Sequence, residues 1–191
     1  MRRNGWAIVM LVVATTAAGA WSLRLAGGTS TGHPTWTEVA WPFPMDEWGQ
    51  GKAYRCGAAD CGSEVDVYFR AKLGFCNCTT GVSDDAELER LSDFDLVGGR
   101  VDALAAGQPV RVGWMQGRSR PYRIAPPGPS GQEAYSVAFN HECDAMVALA
   151  VFDGRQRHEI ERHADEFLNS DVVLQWARAT LGLGPAPALS H

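Results

Sequence analysis

The chain has 191 residues, of which 46% are apolar and 20% charged, with a formal charge of −5. That profile suits one globular domain plus a leader and excludes a disordered chain. Setting aside Arg2 and Arg3 of the leader leaves 15 basic residues against 22 acidic, a net charge of −7, which excludes nucleic acid as a partner because phosphate binding needs a basic footprint.

The chain opens with MRRNGWAIVMLVVATTAAGAWSLRL. Arg2 and Arg3 form a basic start, and Trp6 to Ala18 is nearly all apolar. Ala18-Gly19-Ala20 is a small-x-small cleavage pattern that would leave Trp21 as the mature N-terminus. The same stretch, Gly5 to Leu23, is also just long enough to cross a bilayer as a helix, with the arginines held in the cytoplasm. Residues 1–23 are therefore expected to be a signal peptide or a membrane anchor. Either reading puts the rest of the chain outside the cytoplasm. Lysine is rare beside arginine (Lys52 and Lys72 only) and Ala and Gly are abundant. That bias points to a GC-rich bacterial genome, and hence to the periplasm.

Residues 24–35 read as a tether and 36–183 as a single exported domain. The segment WTEVAWPFPMDEW (36–48) is rich in Trp and Pro and is expected to lie extended across a core. From Glu64 to Cys76 the residues alternate. Val65, Val67, Phe69, Ala71, Leu73 and Phe75 share one face; Glu64, Asp66, Tyr68, Arg70 and Lys72 share the other. That pattern predicts a long, half-buried strand. Asp84 is placed to cap a short helix, with Glu87 at the reciprocal position and Leu88 and Leu91 inward.

Val110, Val112 and Trp114, then Tyr122 and Ile124, alternate around QGRSRP, which reads as the turn of a hairpin. APPGPSGQ (125–132) is a connector. Strands are expected over 134–140 and 143–152. In the C-terminal part Ile160, Ala164, Phe167 and Leu168 share one helical face. Ser170 starts a second helix with Val173, Trp176, Ala177 and Leu181 inward, and Gly182 ends it. Residues 184–191 read as a loose tail. The order predicts an α+β fold: an antiparallel sheet with helices packed on it, helices at the C-terminus, and the N-terminal signal or anchor helix.

Over roughly residues 60–182 this element order resembles the PsbP-like fold, an α/β/α sandwich around an antiparallel sheet, without a shared motif. Three stretches, WTEVAWPFPMDEWG, KLGFCNCTTGVSDDAELERLSDFDLVGG and FLNSDVVLQWA, resemble a family of exported alphaproteobacterial proteins to which no activity is assigned. That resemblance covers most of the chain after the leader. It implies a bacterial envelope protein and transfers no catalytic residue.

Five cysteines carry the remaining chemistry. Cys56 and Cys61 sit in a turn-rich segment that can run back beside the 64–76 strand, towards Cys76 and Cys78. Two disulfides, each joining one of the first pair to one of the second, are the expectation, leaving Cys143 as a small buried hydrophobe; alternatively Cys143 replaces a member of a bridge and leaves another thiol free. The C-x-C pair, Cys76 and Cys78, also suits a copper(I) or redox site, since soft thiolates select copper and a short bridge would be strained. Zinc fits that spacing less well.

The acids Asp84, Asp85, Glu87, Glu89, Asp93 and Asp95 lack a calcium loop and read as a solvated helix face. Arg111, Arg118, Arg120 and Arg123 surround the expected hairpin turn and could contact an anion or an acidic partner. His141 alternates onto one face with Cys143, but no elbow or oxyanion loop accompanies them. His158 and His163 are five apart, off the usual helical spacing for metal ligands. The reading is a disulfide-stapled accessory or binding domain, without catalysis or an obligatory cofactor. It would face the periplasm, held to the inner membrane if the leader stays, with an envelope protein as a possible partner. The alternative is a thiol-based copper or redox protein.

Overall fold

The structure is a computed structural model and describes residues 33–125 and 131–184. The expected leader, most of the tether, the middle of the 125–132 connector and nearly all of the tail lie outside the described residues. Among the described residues no helix is long and apolar enough to cross a membrane.

Eight strands form one antiparallel sheet: β1 Trp36–Val39, β2 Lys52–Cys56, β3 Val65–Lys72, β4 Val101–Ala103, β5 Gln108–Val112, β6 Met115–Ile124, β7 Glu133–His141 and β8 Asp144–Phe152. Their order is β1-β2-β3-β8-β7-β6-β4, with β5 also paired to β6. The helices are α1 Ala58–Cys61, α2 Asp85–Leu91, α3 Arg157–Leu168 and α4 Asp171–Thr180, and a 3-10 turn covers Phe94–Val97. The α+β expectation holds for these residues.

Alternation decides which side chains face which helices. On one side of the sheet Val67 and Phe69 of β3, Tyr135, Val137 and Phe139 of β7, and Met146 and Ala148 of β8 are buried against Ile160, Ala164, Phe167 and Leu168 of α3 and Val173 and Ala177 of α4. Every inward residue expected in α3 is buried, because a 3.6-residue period keeps that stripe on the sheet. The opposite side is covered by α2 and the 3-10 turn. There Leu88 and Leu91 pack on Ala138, Ala145 and Val147, and Phe94 and Val97 pack near Ile124, Ala134 and Leu149. Asp84 caps α2 by accepting from the Glu87 N–H at 2.8 Å. The Glu87 carboxylate turns instead to Arg90, so only half of the expected reciprocal cap forms.

The long strand differs from its sequence reading in two ways. It ends at Lys72 rather than Cys76, because the chain turns through Gly74 at a φ of 69°. Its polar face is also covered. Arg70 and Lys72 are 2% and 5% exposed. Arg70 makes a fork of bonds to Asp93 at 2.7 and 2.8 Å and reaches Asp46 at 2.6 Å. Lys72 contacts the same Asp93 at 2.8 Å and donates to the Leu91 carbonyl. Alternation shows which residues share a face, but not that a neighbouring element will supply an ion to bury a charged one.

The 36–48 segment runs as expected. After β1 it crosses the α2 side, where Trp41 and Phe43 meet Tyr68 edge-on and Trp48 packs on Phe75. The predicted QGRSRP turn is a correction. Those residues lie within β6, and the hairpin turns before them at Gly113-Trp114, where Gly113 takes a φ of 58°. A two-residue turn of this kind needs left-handed backbone, which glycine adopts without a steric penalty.

Candidate functional site

The cysteines converge differently from the expectation. Cys56 bonds Cys61, and Cys78 bonds Cys143; Cys76 is a free, buried thiol. Strand register explains the change. β2 does run back along β3, but Cys56 pairs with Val65 at the start of β3, while Cys76 and Cys78 follow its far end at Lys72. Seven strand steps of about 3.3 Å separate those ends by roughly 23 Å, well beyond the reach of a disulfide.

Cys143 sits instead in the β7–β8 turn. Because β8 pairs Ala145 with Lys72, that turn lies beside the chain leaving β3. The Cys76 N–H donates to the Cys143 carbonyl at 3.0 Å. The Gly74 N–H bonds Asp144, and the Val82 N–H bonds Asn140. The 73–83 loop is thereby sewn to the hairpin tip. Cys78 is exposed, but its sulfur is committed to the bridge. Cys76 packs among Val82, Leu88, Leu91 and Val147, and burial, followed by the Glu87 charge, pushes its thiol up. In this oxidised state the C-x-C pair does not offer two thiolates, and Cys143 is no nucleophile for His141.

The arginines and the acidic run largely meet each other. Arg118 and Arg120 point from β6 to α2. Arg118 Nε bonds Asp85 Oδ1, and the same guanidinium donates to the Gly107 carbonyl. Arg120 meets Glu89 at 2.7 Å and donates to the Ala105 carbonyl. Arg118 holds Asp85 below the usual carboxylate range, with help from the Gly107 N–H. Arg111 and Arg123 are exposed on other positions. The four arginines therefore form no single anion site. The solvated-face reading of the acids is likewise corrected at Asp93, which is 3% exposed and holds Arg70 and Lys72.

A cleft of about 610 Å³ opens on the other side of the sheet, between β5–β6 and α3. Ser119 and Tyr135 line it from the sheet, Pro109, Val110 and Pro121 give it apolar wall, and α3 contributes His158, Glu161, Arg162, Asp165 and Glu166. Tyr135 is 5% exposed, and its hydroxyl donates to Asp165 at 3.1 and 3.2 Å from the two carboxylate oxygens. Burial, reinforced by the charges of Glu161 and Glu166, pushes the Asp165 carboxyl up to about 6 despite that hydrogen bond. Burial and the facing Asp165 charge also raise the Tyr135 hydroxyl. Glu161 Oε1 is buried without a hydrogen-bond partner. A half-buried acid near neutrality, held by a tyrosine in an open cleft, is the kind of perturbed group that marks functional sites.

Comparison with protein-family models, curated proteins and solved structures gave no match. The site therefore rests on its own geometry.

Sequence reasoning passed over this cleft. A signal was there: Glu161, Asp165 and Asn169 recur every four residues, which places them in one stripe beside the buried stripe of α3. What the sequence could not show was that β7 would bring Tyr135 against it. A smaller cavity of about 270 Å³ lies across α3, lined by His33, Trp36, His163, Phe167 and Ser170 among others. It is mostly apolar, and Trp36 and Phe167 stack there with centroids 4.6 Å apart. Among the described residues no group of three or more His, Cys, Asp or Glu side chains is placed to hold a metal ion.

Proposed function

We propose that this chain is an exported binding domain of the bacterial envelope, facing the periplasm, which engages a ligand or a partner side chain in the cleft over Tyr135 and Asp165 and does no chemistry of its own. One observation carries the reading: the cleft is open, partly apolar, and lined by more carboxylates than cations, with Glu161, Asp165 and Glu166 against Arg162. Two disulfides suit a domain that folds in an oxidising compartment. The N-terminal pattern and the likeness to exported alphaproteobacterial proteins support the same location. Residues 1–23 would tether the domain to the inner membrane if they are retained.

The test is retrieval of tagged protein from native envelope under mild conditions, with bound species released and weighed by mass spectrometry. Gln108→Trp, at an exposed position on the rim, serves as the blocked control. Species that co-purify with the parent and are lost from Gln108→Trp are expected; equal recovery from both would remove the cleft as the site.

A second reading is a thiol-based copper or redox role for Cys76 and Cys78. It draws on the meeting of Cys76, Cys78 and Cys143 at one hairpin tip. After reduction that tip would free Cys78 beside Cys76, and paired soft thiolates suit copper(I). Stoichiometric copper on the reduced protein, lost in Cys78→Ser, is the result this reading expects.

A further inference from the structure

The charges around the cleft do not balance. Glu166 is met by Arg162 at 2.7 Å. Arg157, at the start of α3, is taken by Glu133 with two bonds of 2.6 Å. That leaves Glu161 and Asp165, one helical turn apart. Glu161 pairs with the exposed His158 at 3.3 Å through Oε2 and lies in the field of Arg157, while its Oε1 is buried and unpartnered. Asp165 is held by the neutral Tyr135 hydroxyl and by no cation among the described residues. The sheet side supplies no charge of either sign, since Gln108, Ser119 and Tyr135 are its polar lining. Pro109, Val110 and Pro121 form the apolar part of that side.

From this arrangement we propose that the cleft binds an organic cation: a primary ammonium on a short apolar stem, its head between Glu161 and Asp165 and its stem along Pro109, Val110 and Pro121. An ammonium brings three donors and one positive charge. It supplies a counter-charge to Glu161 and Asp165 together. An anion would meet an excess of carboxylates, and a neutral ligand would leave the charge unbalanced. A bare metal ion is a poorer occupant, since no set of three or more ligating side chains is assembled among the described residues. The ammonium has two sources of the same chemistry, a free amine or a lysine side chain of a partner. The proposal rests on the cleft being the binding site.

The experiment uses ¹⁵N-labelled protein as isolated from the producing cell, at pH 7.5, titrated with n-butylammonium chloride, n-butanol and sodium butyrate and followed by NMR. Butylammonium is expected to give saturable shifts at Tyr135, Glu161 and Asp165, and to bind at least tenfold more tightly than butanol or butyrate. Glu161→Gln, and separately Asp165→Asn, should weaken it about tenfold in proteins that melt as the parent does. Acetyl-Gly-Lys-Gly-amide, compared with its norleucine analogue, separates the sources: tighter binding than butylammonium favours a partner's lysine, weaker binding a free amine. Equal binding of butanol, tighter binding of butyrate, or affinity unchanged in both variants would overturn the cation while leaving the cleft as a site. No saturable shift with any probe would overturn the cation, while the comparison of recovery from the parent and from Gln108→Trp decides the cleft separately.

Discussion

Asp165 shows how one residue's surroundings fix its behaviour. Its folded carboxyl titrates near 6, above the ordinary 3.8. Between those values the folded state holds a proton that the unfolded state has released. Stability from this group therefore rises as pH falls from about 7 to about 4, opposite to the usual behaviour of a salt-bridged acid. Solvent screening at a partly exposed site limits the effect to about 1–2 kcal/mol. Denaturant melts across that window should show the rise, and Asp165→Asn should flatten it. Cys76 makes the complementary case. Because it is buried with a raised thiol, alkylating reagents should spare it in native protein. Denatured, unreduced protein should show a single titratable thiol, and peptide mapping should find Cys78 joined to Cys143. At Asp93, Asp93→Ala would leave Arg70 and Lys72 buried with too few partners, and a loss of about 3–5 kcal/mol is expected in chemical unfolding.

At the scale of elements, β3 and the two bridges set the framework. Phe69 is 2% exposed and meets Tyr54, Phe167 and Trp176. Phe69→Ala should cost about 3–5 kcal/mol, the usual range for so large a cavity. Tyr68 faces the other way, half-buried under Trp41 and Phe43, so Tyr68→Ala should cost less, about 1–2 kcal/mol. The bridges differ through the loops they close. Cys56–Cys61 spans a separation of 5 residues and Cys78–Cys143 spans 65. Loop-closure entropy then gives about 2 kcal/mol for the first and about 4 kcal/mol for the second. Thermal melts of the Cys→Ser double variants should rank them in that order. The reverse order would mean that the 73–83 loop is held mainly by its hydrogen bonds to the hairpin tip.

For the whole molecule, the sheet has two differently built sides. One is an apolar core under α3 and α4; the other joins a smaller apolar cluster to buried ions at Arg70, Lys72 and Asp93. The α2 side is where the acidic run and Arg118 and Arg120 neutralise one another, so the chain's net negative charge is expressed elsewhere, in part on the outer stripe of α3. If the domain is exported as proposed, protease should reach it in spheroplasts and not in intact cells, whether or not residues 1–23 are removed. Protection in spheroplasts, with all five cysteines reduced, would argue against export.

Period and caps are local, and the sequence alone determined what depends on them. The two-residue alternation of Val65, Val67 and Phe69 marked a core face, the 3.6-residue stripe of α3 marked its inward side, and Asp84 marked the start of α2. Each follows from a backbone geometry that repeats within a few residues. Partnership is not local, and only the tertiary structure decided it. Antiparallel register put Cys56 at one end of β3 and Cys76 at the other, so Cys78 found Cys143 across 65 residues of chain. The same long-range pairing carried Arg118 and Arg120 to α2, enclosed Arg70 and Lys72 around Asp93, and brought Tyr135 against Asp165. The spacing of residues along a chain limits such contacts without selecting among them, because the selection is made by which strands lie side by side and in which register.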